Sequence, residues 1–123
     1  MIKGVGVDIV EVARVRDTIV QWGERFLKKV FTEVEMQYCS AKANPYQHFA
    51  ARFAAKEAVA KALALGWSGG FRWKDVEVVN DASGKPSVIL YGHAKEHLSE
   101  SRIFVSISHT TDMVIAFVVI ESV

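Results

Sequence analysis

The stretch "FAAKEAVAKAL", Phe53–Leu63, constrains the fold more than any other part of the chain. It reads as a helix made almost wholly of small apolar residues, which lets a neighbouring element pack close. Yet it carries Lys56, Glu57 and Lys61, with Arg52 just before it. Charges inside a buried helix cost several kcal/mol unless they are paired or hold an ion. Phe49, Ala50, Phe53 and Ala54 share one face. Glu57 and Lys61 continue the row from Phe53, and Arg52 and Lys56 form an adjacent row. The plain reading of Glu57 and Lys61 is an exposed pair one turn apart, worth roughly 0.3–0.5 kcal/mol. The surrounding alanine favours a junction between packed elements, where a carboxylate beside three cations suits a divalent metal and phosphates.

The rest of the chain supplies the partners for that helix. "IKGVGVDIV" alternates, with Val5, Val7 and Ile9 on one face and Gly4, Gly6 and Asp8 on the other, so it is predicted to be a strand. Glycines beside Asp8 are expected to leave open space for a ligand that approaches the backbone. "EVARVRDTIVQW" has helical spacing, and "GERFLKKVF" continues as a second helical piece. Thr32 and Glu35 form a capping box that predicts a helix from Glu33 to about "SAKANP". The long helix is expected from Tyr46 to Leu65, ending at "GWSGG". Then "VEVVN" and "SVILY" are joined by "DASGKP" as a hairpin. "HAKEHLSES" is a short helix, and "IFVSISH" and "MVIAFVVIE" are two strands joined across "TTD". The expected fold class is α+β, with an antiparallel sheet packed on one long helix, as one domain over residues 1–123.

Composition excludes several function classes. The 123 residues are 50% hydrophobic and 24% charged, with a formal net charge of +1. Such a chain is globular, and no strong overall field draws it to nucleic acid or membrane. Cys39 is its one cysteine, so an intrachain disulfide and a multi-cysteine zinc site are excluded. No run approaches the roughly 18 apolar residues of a membrane span. "MIKGVGVDIVEVARVR" lacks the apolar core of a secretory signal, and the cytosol is the expected compartment.

The candidate chemistry is carried by four segments. Asp8 and Glu57 are hard oxygen ligands that suit Mg²⁺ if strand and helix meet, since that ion takes only one or two protein carboxylates. In "VSISHTT", His109 is a candidate donor to a phosphate, helped by the hydroxyls of Ser108 or Thr110. Ser106 and Ser108 share the face opposite Val105, Ile107 and His109. "SGKP" is by itself an ordinary hairpin turn. No P-loop or dinucleotide-binding glycine pattern is present.

Taken in order, "GVGVDIVEVARV", "FAAKEAVAKAL", "GKP" and "SISHT" closely resemble the holo-acyl-carrier-protein synthase family, the short 4′-phosphopantetheinyl transferases. The resemblance covers nearly the whole chain. It implies transfer of 4′-phosphopantetheine from coenzyme A to a serine of an acidic apo acyl carrier protein, releasing 3′,5′-ADP, in fatty acid biosynthesis. It implies Mg²⁺, with Mn²⁺ as an alternative, on Asp8 and Glu57, and Lys61 on the transferred phosphate. Arg52, Lys56, Gly84, Lys85, Pro86, Ser108, His109 and Thr110 would contact coenzyme A. Arg14 matches a residue that meets the carrier protein. With Arg16, Arg25, Lys28 and Lys29, it makes a candidate docking surface. By likeness to two-copy transferases, the chain is expected to form a homotrimer with sites at subunit boundaries. In place of the family's Gly-Thr-Gly turn stands Ala64-Leu65-Gly66, and Trp67 and Trp73 are also unusual.

On this reading a metal and a diphosphate offset the charges of the long helix. The serine's base is then Glu57 or a metal-bound water. Two other classes are compatible with the residues taken singly. A small metal-dependent hydrolase would release pantetheine phosphate without modifying a protein. A non-catalytic oligomeric binding module would tolerate Asn at position 8 and Gln at position 57.

Overall fold

The computed structural model describes residues 1–63 and 71–123. Its order is β1 (Ile2–Glu11), α1 (Val12–Trp22), α2 (Glu24–Val30), α3 (Glu33–Ser40) and α4 (Pro45–Leu63), then a 3₁₀ turn (Trp73–Asp75). There follow β2 (Val76–Asn80), β3 (Pro86–Leu90), α5 (Gly92–His97), β4 (Ser101–His109) and β5 (Met113–Ser122). One antiparallel sheet runs β1-β5-β4, and β2-β3 is a separate hairpin. The α+β arrangement, with an antiparallel sheet against the long helix, is as expected. Helix α4 begins one residue earlier than predicted, because proline at the first helical position lacks only an N–H that has no partner there. Its predicted end at Leu65 and the Ala64-Leu65-Gly66 turn lie outside the described residues, as does Trp67. Thr32 caps α3 as predicted: its hydroxyl accepts from the Glu35 N–H, and Glu35 Oε1 accepts from the Thr32 N–H. Helix α5 stops at His97, and Ser101 already belongs to β4.

The alternation in β1 has the opposite meaning from a simple apolar core face. Gly4, Gly6 and Asp8 face α4, while Val5, Val7 and Ile9 face outward. A Cβ on Gly4 would collide with the Ala62 carbonyl, and one on Gly6 with the Ala58 carbonyl. The expected open space beside Asp8 is therefore filled by the backbone of α4, and the glycines admit a helix rather than a ligand. Strand β5 contributes Val114, Ala116, Val118 and Ile120 to the helix side, all essentially inaccessible. On the far side, Val5, Val7, Ile9, Phe104, Ile115 and Phe117 form an apolar face, from 40% exposed at Ile115 to 61% at Ile9.

Beneath the other flank of α4 lies a polar core. Lys56 and Glu35 are both fully buried, with Nζ 2.7 Å from Oε1. The same ammonium donates to the carbonyls of Val30 at 2.7 Å and Trp73 at 3.0 Å. Glu35 Oε2 accepts the Val78 N–H at 2.8 Å. Glu77, also buried, accepts from the hydroxyls of Thr32 and Tyr91. One charge pair thus ties α4 to α2, α3, the 3₁₀ turn and β2. Phe53 stacks on Trp73 above it, with ring centroids 5.3 Å apart.

Two stability measurements follow. Gly6→Ala forces strand and helix apart and should cost about 1–3 kcal/mol or more in urea unfolding. Unchanged stability would mean that the strand moves freely off the helix. Lys56→Met strands the Glu35 carboxylate in the core, and the expected loss is about 3–5 kcal/mol. A loss below about 1 kcal/mol would show that water reaches the pair.

Candidate active site

The close seating of β1 on α4 sets Asp8 beside the last turns of the helix. Lys61 Nζ lies 2.9 Å from Asp8 Oδ1 and 3.0 Å from the Val7 carbonyl. The Lys61 side chain is 53% exposed and that of Asp8 only 15%. The carboxylate is therefore largely covered, and the ammonium is the partner more open to solvent. Asp8 and Glu57 line one cavity together with Glu11, Arg14, Thr18 and Phe53. Its volume is about 470 Å³. Apolar walls from Ile9, Val10, Val15, Phe26 and Met113 complete it. Of the three carboxylates that line it, Asp8 and Glu57 are a donor set that suits a largely hydrated hard cation. Among the described residues no group of three or more His, Cys, Asp or Glu side chains is placed to hold a metal by protein ligands alone.

A second cavity, of about 290 Å³, is lined by Val12, Arg16, Asn44, Tyr46, Gln47, His109 and Thr111. Near it the local charge is positive. Arg52 lies with its guanidinium 4.2 Å from the Tyr38 ring centre, and Lys42 sits 4.5 Å from the same ring. Burial first, then the charges of Arg52, Lys42 and His109, hold the His48 pKa below its ordinary value. Arg52 is 3% exposed; it donates to Asn80 Oδ1 at 2.6 Å, and its buried Nε has no hydrogen-bond partner. Asn80 in turn donates to the Gly84 carbonyl at 2.9 Å. A cluster of this kind favours an anion. Cys39, by contrast, is buried, and burial pushes its thiol up to about 12, so it is no nucleophile.

The residues singled out from the sequence fall into separate groups. Asp8, Glu57 and Arg14 share the first cavity, with Lys61 on Asp8. His109 and Arg16 line the second. Gly84, at φ +90°, turns the β2–β3 hairpin, and neither Lys85 nor Pro86 lines either cavity. One expectation needs correction. Lys56 does not reach a ligand, because its three N–H groups are directed to Glu35, Val30 and Trp73 within the core. Ser108 lies on the outer face of the sheet, opposite His109, since side chains alternate along β4. The Thr110 oxygen accepts from the Asp112 and Met113 N–H groups and so shapes the β4–β5 turn. The five cations of the first helices line different cavities or pair with acids. Arg14 and Arg16 line different cavities, Arg16 pairs with Asp17 and Lys28 with Glu24, while Arg25 and Lys29 flank Trp22 in a shallow groove.

The sequence reading missed Glu11, Phe53 as a cavity wall, and Gln47, whose amide nitrogen is 2.9 Å from His109 Nδ1. Glu11 lies three residues from both Asp8 and Arg14 and was within reach of a spacing argument. Nothing local marks Gln47, which meets His109 across 62 positions.

Comparison with known proteins gives a consistent result. Residues 4–118 match the family described as the 4′-phosphopantetheinyl transferase superfamily. The chain is 49% identical over 124 residues to the holo-[acyl-carrier-protein] synthase of Halothermothrix orenii, covering 98% of each chain. The fold is similar to that of the crystalline holo-[acyl-carrier-protein] synthase from Neisseria meningitidis, with a TM-score of 0.88 at 36% identity over 99% of this chain and 100% of that one. It is also similar to the Bacillus anthracis synthase in complex with CoA (3′,5′-ADP), with a TM-score of 0.85 at 34% identity over 100% and 99%. Full-length likeness in sequence and fold, together with a carboxylate-lined cavity on the long helix, places this chain in the holo-[acyl-carrier-protein] synthase family of the 4′-phosphopantetheinyl transferases.

Proposed function

We propose that the chain transfers 4′-phosphopantetheine from coenzyme A to a serine of apo acyl carrier protein, yielding holo carrier protein and 3′,5′-ADP, as a step supporting fatty acid biosynthesis. The observation that carries this reading is the single cavity bearing Asp8, Glu57 and Arg14, with Lys61 bonded to Asp8. The serine oxygen forms a bond to the phosphorus nearer pantetheine, and the bond from that phosphorus to the bridging oxygen breaks. The electron pair leaves with 3′,5′-ADP. The serine proton must leave as well, and Glu57 is a carboxylate on the cavity wall able to accept it.

Charge spreads over the nonbridging oxygens during the transfer, so positioned cations lower the barrier. Lys61, half exposed, exchanges its bond to Asp8 for one to the transferred phosphate. Asp8 and Glu57 would hold Mg²⁺ or Mn²⁺, which when bound neutralises diphosphate charge. Arg52, with an unsatisfied Nε and with Lys42 and His48 nearby, would contribute positive charge toward the remaining phosphates of coenzyme A. Arg14, in the lining of this cavity, would meet the carrier protein, and Arg25 and Lys29 in the adjoining groove would draw in its acidic face.

The site is completed by a second copy of the chain, in a homotrimer. What supports this is the outward apolar face of Val5, Val7, Ile9, Phe104, Ile115 and Phe117, six large apolar side chains left exposed together on one side of the sheet. His109 and Lys85 lie apart from the Asp8 cavity within one chain and would reach the cavity of a neighbour.

Two experiments test this reading. Asp8→Asn and Glu57→Gln should each lower transfer to an apo carrier protein, followed by intact mass, by about 100-fold or more. Both should weaken Mn²⁺ binding seen by electron paramagnetic resonance, and excess EDTA should stop turnover. Full turnover in EDTA would remove the metal from the mechanism. Second, Glu57→Gln and His109→Ala, each inactive, should regain partial activity when co-folded, because some boundaries then carry two intact halves. A monomer by sedimentation, or no recovery in verified mixed oligomers, would place the whole site within one chain.

A further inference from the structure

Gln47 occupies the first turn of α4, and its Nε2 lies 2.9 Å from His109 Nδ1. The same nitrogen is 3.4 Å from the carbonyl oxygen of Thr110. That second contact decides how the amide is turned. A carbonyl oxygen only accepts, so the NH₂ end of the amide must face it; the reverse orientation would set two acceptors against each other. The carbonyl is not free to turn away. The Thr110 N–H donates to the Met113 carbonyl at 2.9 Å, and its hydroxyl oxygen accepts from Asp112 and Met113, so the β4–β5 turn is held on both sides. The amide has two hydrogens and two acceptors in reach, the Thr110 carbonyl and the imidazole Nδ1. An Nδ1 that accepts carries no proton, so the proton of the neutral ring is on Nε2.

We infer that Gln47 is a positioning residue that holds His109 as its Nε2–H tautomer, making the ring a hydrogen-bond donor to a phosphate oxygen without requiring it to be charged. The groups around the ring suit this. Arg16 lines the same cavity and already brings a positive charge to it, so a ring that donates without a charge of its own can meet an anion there. The donor role toward coenzyme A rests on the reading of His109 given above; the tautomer does not.

The test uses the whole protein labelled with ¹⁵N-histidine. The chain has four histidines, and His109 is assigned by its disappearance in His109→Ala. Long-range ¹H–¹⁵N spectra at about pH 8.5, where an ordinary imidazole is neutral, should show His109 with a protonated Nε2 and a bare Nδ1. Gln47→Met should leave a mixture of tautomers. Gln47→Glu should move the proton to Nδ1, because a carboxylate only accepts. A protonated Nδ1 in the parent protein, or a His109 spectrum unchanged by Gln47→Met, would overturn the assignment. KM for coenzyme A should rise about tenfold or more in Gln47→Glu, with kcat changing less. A moved proton with an unchanged KM would sustain the tautomer and reject the contact between His109 and coenzyme A.

Discussion

Everything in this molecule that bears on chemistry depends on how closely one strand approaches one helix. Gly4 and Gly6 carry no Cβ, and Ala58 and Ala62 carry almost no side chain, so β1 lies directly on the carbonyls of α4. A more ordinary spacing between sheet and helix, about 10 Å, would leave a gap that aliphatic side chains fill. Here there is none, and the next residue on the same face of β1, Asp8, arrives within hydrogen-bond distance of Lys61. A short carboxylate can meet a helix-borne lysine and share a cavity with a helix-borne glutamate only because the backbones have come together first.

The charges on α4 are therefore divided between two tasks, and the division follows their position around the helix. Lys56 turns toward α3 and is spent wholly on the interior, on Glu35 and two carbonyls. Glu35 serves at once as the capping residue of α3, the counter-ion of Lys56 and an acceptor for β2. Lys61 and Glu57 turn toward β1 and solvent. Neighbours in sequence, Lys56 and Glu57 stand on opposite sides of the boundary between scaffold and site. Burying a charge pair adds little net stability. What it supplies here is a fixed rotation for α4 about its own axis, and with it the direction in which Glu57 looks.

Much of this was legible in the sequence. The period-2 pattern of "GVGVDIV", the T-x-x-E box and the hairpin signals located the elements to within a few residues, because those signals arise from local backbone chemistry. The alanines of the long helix signalled a close neighbour, but the glycines beside Asp8 read as space for a ligand when they are the seat of that helix. What could not be read was which charged side chain would go inward. Arg52 and Lys56 carry the same charge as Lys61, and only the position of Glu35, 21 residues earlier in the chain, makes Lys56 an interior residue. The same holds for Gln47. Its role depends on a turn that lies far along the chain and returns to α4 only once the sheet has formed.

The split character of β1 also governs how the chain can go wrong. Side chains on a strand alternate, so a slip of one residue against β5 would turn the whole strand over. Val5 and Val7 would then meet the helix carbonyls that leave no room even for a methyl group, and Asp8 would join the apolar outer face. Most sheets penalise such a slip by exposing a few aliphatic groups. This one makes the slipped arrangement sterically impossible while α4 is in place. The strand that carries Asp8 thus has a single permitted alignment, and a partly folded chain that pairs it wrongly has to release the strand before the helix can dock.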